Sequence, residues 1–324
     1  MQKIINYISI VEEALKATAQ KKEPFTLYEP ITYTLSLGGK RIRPALLLLA
    51  NNLFDGKDED ALNSALAIEV FHNFTLVHDD IMDDAPLRRG QESVYKKWGT
   101  NVAILSGDVM LMQALQLLNK KNHPHLHSML NMFNATAIQV CEGQQMDMDF
   151  ETSTTVSIDD YLRMIELKTA VLLACSLKMG AVIANASSDN ASHIYEFGKN
   201  LGIAFQLMDD VLDLYGNPKK VGKRVGGDVI ANKKTYLLLK AQELAVGKTK
   251  KDLDFCLSSS VLEDTAKVEK VTSIFNKLNI KKLAIDEMNL FYNTAISHLD
   301  SIDAATEKKQ VFEDFAKNLM KREN

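Results

Sequence analysis

The stretch Phe71-His72-Asn73-Phe74-Thr75-Leu76-Val77-His78-Asp79-Asp80-Ile81-Met82-Asp83 decides how this chain is read. An apolar, helix-patterned run ends in an aspartate-rich pentad. Carboxylates at i and i+4, here Asp79 and Asp83, share one helix face and repel unless something cationic lies between them. Acidic residues close to a helix C-terminus also oppose the helix dipole, which favours cations there. The pattern recurs: Ile203-Ala204-Phe205-Gln206-Leu207-Met208 leads into Asp209-Asp210-Val211-Leu212-Asp213. One acidic helix end is ordinary solvated surface. An unfavourable placement made twice points to bound cations. Oxygen-only ligands select Mg2+ over zinc, and Mg2+ completes its octahedron with water and substrate phosphates. The pentads therefore read as two walls of one polyphosphate site.

The rest of the chain supports a helical frame. Its 324 residues are enough to bury a full core. The 15 glycines and 6 prolines are about half the usual share of a globular sequence. No proline lies between Pro124 and Pro218 or after Pro218, so long helices are permitted there. Helix-period patterns predict helices near 2–19, 26–37, 44–54, 59–83, 101–120, 126–150, 157–184, 188–215, 232–246, 260–276, 281–299 and 304–321. Strand alternation bounded by hairpin turns is missing, and no stretch reads as an interdomain linker. The expectation is one all-α domain over residues 1–324.

A net charge of -4 argues against a broad nucleic-acid footprint. The three cysteines, Cys141, Cys175 and Cys256, are odd in number and lack metal-ligand spacing, which reads as free thiols in a reducing compartment. The N-terminus patterns as an amphipathic helix through Ile4, Ile8, Val11 and Leu15, without a basic n-region and apolar core. Apolar runs such as Ala45-Leu46-Leu47-Leu48-Leu49-Ala50 fall far short of a bilayer span. A cytoplasmic protein with no transmembrane segment is expected.

Basic residues supply the other half of the site. Lys40 and Arg43 flank a Gly-Gly turn, and Arg88 and Arg89 follow the first pentad; Lys168, Lys223 and Lys233 come later. Arg forks grip phosphate oxygens bidentately, and Lys adds point charge. The glycine-rich segments lack P-loop spacing, which gives no support to a P-loop NTPase.

In order along the chain stand GGKRIRP at 38–44, FHNFTLVHDDIMD at 71–83, RRG at 88–90, GD at 107–108, CEGQQMD at 141–147, KT at 168–169, FQLMDDVLD at 205–213, GKRVGGD at 222–228 and KKTY at 233–236. This ordered set resembles the trans-isoprenyl diphosphate synthases. The last eighty or so residues carry no motif and read as helices completing the bundle.

The resemblance implies an orthogonal helical bundle around a central cavity, the isoprenoid synthase type I fold. It implies Mg2+-dependent head-to-tail condensation of isopentenyl diphosphate with an allylic diphosphate, in a homodimer. By family position, Asp79 and Asp83 would hold two Mg2+ ions and Asp209 a third, three per active site, with Asp80 and Asp210 in the same catalytic set. Arg88, Lys168, Lys223 and Lys233 would contact the allylic diphosphate. Lys40, Arg43, His72 and Arg89 would anchor isopentenyl diphosphate. Gln206 and Thr169 would face the cationic carbon.

Product length in such enzymes is limited by the floor of an apolar tunnel beneath the first pentad. Phe74 lies about 7.5 Å along the helix from Asp79, and the small Thr75 about one turn below it. A single aromatic here with an uninterrupted pentad resembles geranylgeranyl synthases, with farnesyl synthases next. Met110, Met112 and Leu115 are candidates for a deeper wall. A class I terpene cyclase would normally lack the second pentad, and a non-catalytic partner subunit would usually have lost one; both are intact.

Overall fold

The computed structural model describes residues 1–18, 22–216, 225–259 and 261–321. The helices in chain order are α1 (Gln2–Thr18), α2 (Phe25–Ser36), α3 (Ile42–Leu53), α4 (Asp58–Met82), α5 (Val94–Trp98), α6 (Thr100–Leu118), α7 (Leu126–Thr152), α8 (Ile158–Ile165), α9 (Val171–Ile183), α10 (Ser188–Tyr215), α11 (Gly227–Ile230), α12 (Tyr236–Leu244), α13 (Gly247–Ser258), α14 (Asp264–Lys277), α15 (Ile280–Asp300) and α16 (Thr306–Met320). The fold class is all-α, as the patterning predicts.

Besides the short helices α5 and α11, which no pattern predicts, three features depart from the predicted elements. A two-stranded antiparallel hairpin, β1 (Leu87–Arg88) and β2 (Gln91–Glu92), follows the first pentad. Its turn places Arg89 and Gly90 at φ 56° and 78°, the left-handed pair that suits two-residue hairpins. Strands of two residues are too short to show alternation. A π-helical turn, Glu166–Ala170, interrupts the helix expected over 157–184. Finally, α13 forms where the sequence reads as a loop. It buries only Leu253 and Cys256, two residues of a 12-residue helix.

The chain forms two compact units. The first comprises residues 1–135, 175–195 and 302–311, the second 136–174, 196–301 and 312–324. In the first, α4 packs against α3 and α6, α1 against α3, and α2 against α6. The buried face of α3 is nearly continuous from Pro44 to Asn51. Asp58, Glu59 and Asp60 open α4 where the helix dipole favours them. In the second unit a core gathers Tyr161 and Ile165, the apolar face of α10 (Ile203, Leu207, Val211), and Leu237, Val271 and Phe275. There α8 is capped by Ser157, whose hydroxyl accepts from the Asp160 amide while the Asp160 carboxylate accepts from the Ser157 amide.

One helix, α6, is more uniformly apolar than the sequence reading expected, which looked only at short apolar runs. Its 19 residues reach a mean hydropathy of 1.3 over an 18-residue window, enough by length and composition to cross a membrane.

Within the first unit the α9 backbone lies against α3 at Gly180. A methyl group there would come 2.2 Å from the Leu47 carbonyl oxygen and 2.9 Å from the Asn51 nitrogen, both backbone atoms. Gly180→Ala is therefore expected to destabilise the protein by about 1–3 kcal/mol through overpacking. Denaturant unfolding measures this, and an unchanged midpoint would mean that α3 and α9 approach less closely.

Candidate active site

In the first unit the site begins at the turn before α3. Arg41, the residue before that helix, sits in the left-handed region at φ 46° and is buried. Its Nη2 donates to the Leu35 carbonyl (2.6 Å) and its Nη1 to Glu69 Oε1 (2.5 Å). Asn73, one turn on from Glu69, donates to the same carboxylate oxygen (2.9 Å). This buried pair ties the end of α2 and the start of α3 to the middle of α4.

Around it the other cations assemble. Arg43 Nη1 lies 3.2 Å from His72 Nε2. Guanidinium only donates, so Nε2 accepts and the ring proton is assigned to Nδ1. Burial holds His72 well below the usual imidazole value, reinforced by the charges of Arg43, Arg89, Arg41 and Arg88. The Arg89 guanidinium covers Gly39, where a Cβ would meet Nη1 at 2.7 Å. Lys40 is exposed beside them. Arg43, Arg88, Arg89, Lys40 and a neutral imidazole, backed by the buried Arg41, form a surface suited to a multiply charged anion.

The first pentad closes α4. The Asp83 amide donates to the Asp79 carbonyl (2.8 Å), so Asp79 and Asp83 keep the helical i, i+4 relation. Asp79 is half-buried and Asp83 exposed. Asp80 turns the other way. It is 2% exposed and takes an ion pair from Arg88, whose Nε donates at 2.9 Å. Burial raises the Asp80 carboxyl, and Arg88 pulls it back down.

The second unit repeats this division. Asp209 is exposed and Asp210 buried. The Tyr161 hydroxyl donates to Asp210, and Gln206 Nε2 approaches its other oxygen at 3.4 Å. Burial pushes Asp210 up to about 7, while the Tyr161 bond acts in the opposite sense. The Asp213 carboxylate accepts from the Asp228 amide (3.0 Å), which ties the pentad to the start of α11.

Lys168 and Thr169 lie in the π-helical turn, a departure often found at functional sites. The α7 backbone passes close to that turn: a Cβ on Gly143 would lie 2.3 Å from the Lys168 nitrogen. Lys168 Nζ donates to Asp147 Oδ2 (2.6 Å), and Lys233 Nζ lies 3.8 Å from the same oxygen. Asp147 thus gathers two cations that would otherwise repel. It stands in the CEGQQMD segment without an assigned role, as Arg41 does in GGKRIRP, while Glu69 and Tyr161 lie outside every quoted segment. Asp147 and Glu69 are acidic positions three or four residues to one side of glycine or asparagine on predicted helices, too common a pattern to single out.

Phe74 is buried, with its ring centroid 5.6 Å from Phe71 and 4.8 Å from His78. Thr75 is half-buried and its hydroxyl donates to the His72 carbonyl (2.8 Å). Met110 is buried but Met112 is exposed, so these two and Leu115 do not share one wall. Lys223 lies outside the described residues. Among the described residues no three or more His, Cys, Asp or Glu side chains are grouped closely enough to hold a metal by themselves.

The polyprenyl synthetase family profile matches residues 24–278. The chain is 38% identical to a geranylgeranyl diphosphate synthase of Methanosarcina mazei, over 88% of either chain. It is 36% identical to a geranylfarnesyl diphosphate synthase of Natronomonas pharaonis, over 73% of this chain and 75% of that one. Among solved structures it matches a geranylgeranyl pyrophosphate synthase with a TM-score of 0.94 and 42% identity, over the full length of both.

The side chains of the Arg41–Glu69 pair are 2% and 3% exposed. Removing one partner of such a pair leaves a buried charge uncompensated, which costs about 3–5 kcal/mol. Glu69→Ala is expected to lose stability on that scale in thermal or denaturant unfolding. A loss no larger than that of an exposed ion pair would mean that Arg41 finds another partner.

Proposed function

The chain belongs to the polyprenyl synthetase family, and on that premise we propose that it is a short-chain trans-prenyl diphosphate synthase. It joins isopentenyl diphosphate head-to-tail to an allylic diphosphate, with geranylgeranyl diphosphate the favoured product and farnesyl diphosphate next. The observation that carries this reading is the shared design of the pentads. Each binds its second aspartate inside the protein, keeps its first nearer the surface, and stands in a unit that also carries a cation cluster.

The donor set fits magnesium: Asp79, Asp83 and Asp209 offer only hard oxygens. These three would hold it, with three ions per active site. When bound, the metal neutralises charge on the departing diphosphate.

The chain's own residues do the remaining work. Arg88, Lys168, Lys223 and Lys233 grip the allylic diphosphate and stabilise the charge that grows on it as the allylic C–O bond breaks. Asp147 keeps Lys168 and Lys233 preorganised for this. Lys40, Arg43, His72 and Arg89 hold the diphosphate of isopentenyl diphosphate. A neutral His72 that accepts from Arg43 at Nε2 has its Nδ1–H to donate. Gln206 turns its amide nitrogen toward Asp210, which leaves its carbonyl dipole for the allylic cation. Thr169 adds a second dipole. The released pyrophosphate takes the proton lost from the isopentenyl-derived carbon next to the new cationic centre, and that C–H electron pair becomes the new double bond. Phe74, with Thr75 beside it, forms the floor that ends elongation. The family match runs through segments of both units, which supports a single catalytic domain. The intact second pentad and the isopentenyl-binding set disfavour a terpene cyclase or an inactive partner subunit.

The protein is further proposed to act as a cytoplasmic homodimer, with α6 at the interface. Ile104, Leu105 and Met112 are 40%, 57% and 51% exposed on that helix. Asp108 is exposed on the same helix. A charge near the centre of a membrane span costs about 2.5–3.5 kcal/mol, so a protein partner suits this face better than lipid. Sedimentation should give a dimer that Leu105→Asp dissociates; a wild-type monomer at micromolar concentration would end this reading.

Incubation with Mg2+, isopentenyl diphosphate and dimethylallyl diphosphate should yield elongated prenyl diphosphates. Asp79→Ala and Asp209→Ala should each lower turnover by roughly 10²–10³, or about 3–4 kcal/mol of transition-state stabilisation, with unchanged circular dichroism. Near-normal turnover of either variant at saturating Mg2+ would remove the metal assignment.

A further inference from the structure

His78 stands immediately before the first pentad and has no part in the chemistry above. Its surroundings in the first unit are nonetheless closely defined. One side of the ring meets Phe74 edge-on, with centroids 4.8 Å apart and planes at 67°. Its Nε2 lies 3.2 Å from the carbonyl oxygen of Ile104 on α6. A carbonyl can only accept, so Nε2 carries the proton and donates. The imidazole also lies against Gly107, where any Cβ would come 2.3 Å from Nε2 and 2.6 Å from Cδ2. Glycine at this point of α6 is what gives the ring room beside α4.

On the other side Phe74 meets Phe71, and Phe71 meets Phe133 edge-on at 5.1 Å. A continuous line of rings therefore runs Phe133, Phe71, Phe74, His78 and ends on a helix carbonyl. Edge-to-face pairs of this kind are worth about 0.5–1.5 kcal/mol beyond area burial. Their geometry also limits where each ring can rotate. With His78 truncated, Phe74 loses its neighbour on the α6 side, and Gly107 has no side chain to fill the space. The freed ring can then turn toward α6.

We propose that His78 is a positioning residue for product length: anchored on the Ile104 carbonyl and seated on Gly107, it holds the Phe74 ring in the place where elongation stops. This rests on the reading of Phe74 as the floor. His78 acts only through that ring and does not touch the reacting atoms. Gly107 belongs to the same device, because a side chain there displaces the imidazole.

The test is the distribution of dephosphorylated products, separated by chromatography, for the purified full-length enzyme with isopentenyl and dimethylallyl diphosphates and Mg2+. Product ratios report on the floor whatever the overall rate. Phe74→Ala tests the premise and should move the main product longer by at least one isoprene unit. His78→Ala should shift or spread the distribution in the same direction. His78→Phe keeps an aromatic edge beside Phe74 and should restore most of the wild-type distribution. In the Phe74→Ala background, His78→Ala should add nothing further. Thermal melting identifies any variant that is merely unfolded, and Gly107→Ala, which should act like His78→Ala, provides an independent route. If Phe74→Ala lengthens the product while folded His78→Ala and Gly107→Ala keep the wild-type distribution, the positioning role is overturned and the floor survives. An unchanged product from Phe74→Ala removes the floor, and the proposal with it. A shift in His78→Ala that persists undiminished in the Phe74→Ala background also overturns it, since His78 would then act by another path.

Discussion

A surface that grips a diphosphate must crowd positive charge, and crowded charge resists folding. The buried pair of Arg41 and Glu69 is where this protein meets the constraint. Burial first, and then the charges of Arg43, Arg89, Arg41 and Arg88, hold the His72 imidazole well below its ordinary value. Glu69, in the middle of α4, is the carboxylate that counters Arg43 and Arg89. Its position is fixed by Asn73 and by Arg41, and Arg41 is fixed in turn by the Leu35 carbonyl. The cations proposed to grip a diphosphate are thus held in place by contacts within the protein itself. Less reorganisation is then needed when the ligand binds.

The second unit answers the same constraint with a more exposed pair. Asp147 carries Lys168 and Lys233 on one oxygen, and all three side chains retain contact with solvent. A diphosphate that replaces Asp147 as partner to these ammonium groups would meet them already gathered. The difference in burial separates two roles. Arg41 with Glu69 is scaffold, and its charges are spent inside the protein. Lys168 and Lys233 remain accessible to a ligand.

Much of this was legible in the sequence, because helix periodicity and the aspartate spacing depend only on local geometry. The spacing of Asp79 and Asp83 on one face follows from 3.6 residues per turn. The same rule turns Asp80 and Asp210 away from that face, and the structure buries both. What those two residues bind was not legible. Arg88 reaches Asp80 from a two-residue strand, and Tyr161 reaches Asp210 from forty-nine residues earlier in the chain. Neither separation leaves a periodic trace. The π-helical turn escaped for another reason: one extra residue per turn over a five-residue segment barely disturbs the apolar pattern of α8 and α9. In α13 only Leu253 and Cys256 are buried, and two apolar positions leave too weak a period to read from sequence.

The second aspartate of each pentad explains why the motif needs more than a pair of outward carboxylates. A buried carboxylate is costly, and Asp210 bears that cost in a pKa displaced to about 7. Its partner Tyr161 lies on α8, which leads directly into the turn that carries Lys168 and Thr169. Asp80 makes the matching connection in the other unit. Its partner Arg88 begins the hairpin whose turn presents Arg89 against Gly39. In each case the helix that carries the outward carboxylates proposed to hold metal is bound to the segment that carries a cation proposed to hold phosphate. Buried polar contacts contribute little net stability when every partner is satisfied, but they restrict geometry strongly. Within each unit the inward aspartate therefore fixes the outward carboxylates of its pentad relative to a nearby cation-bearing segment.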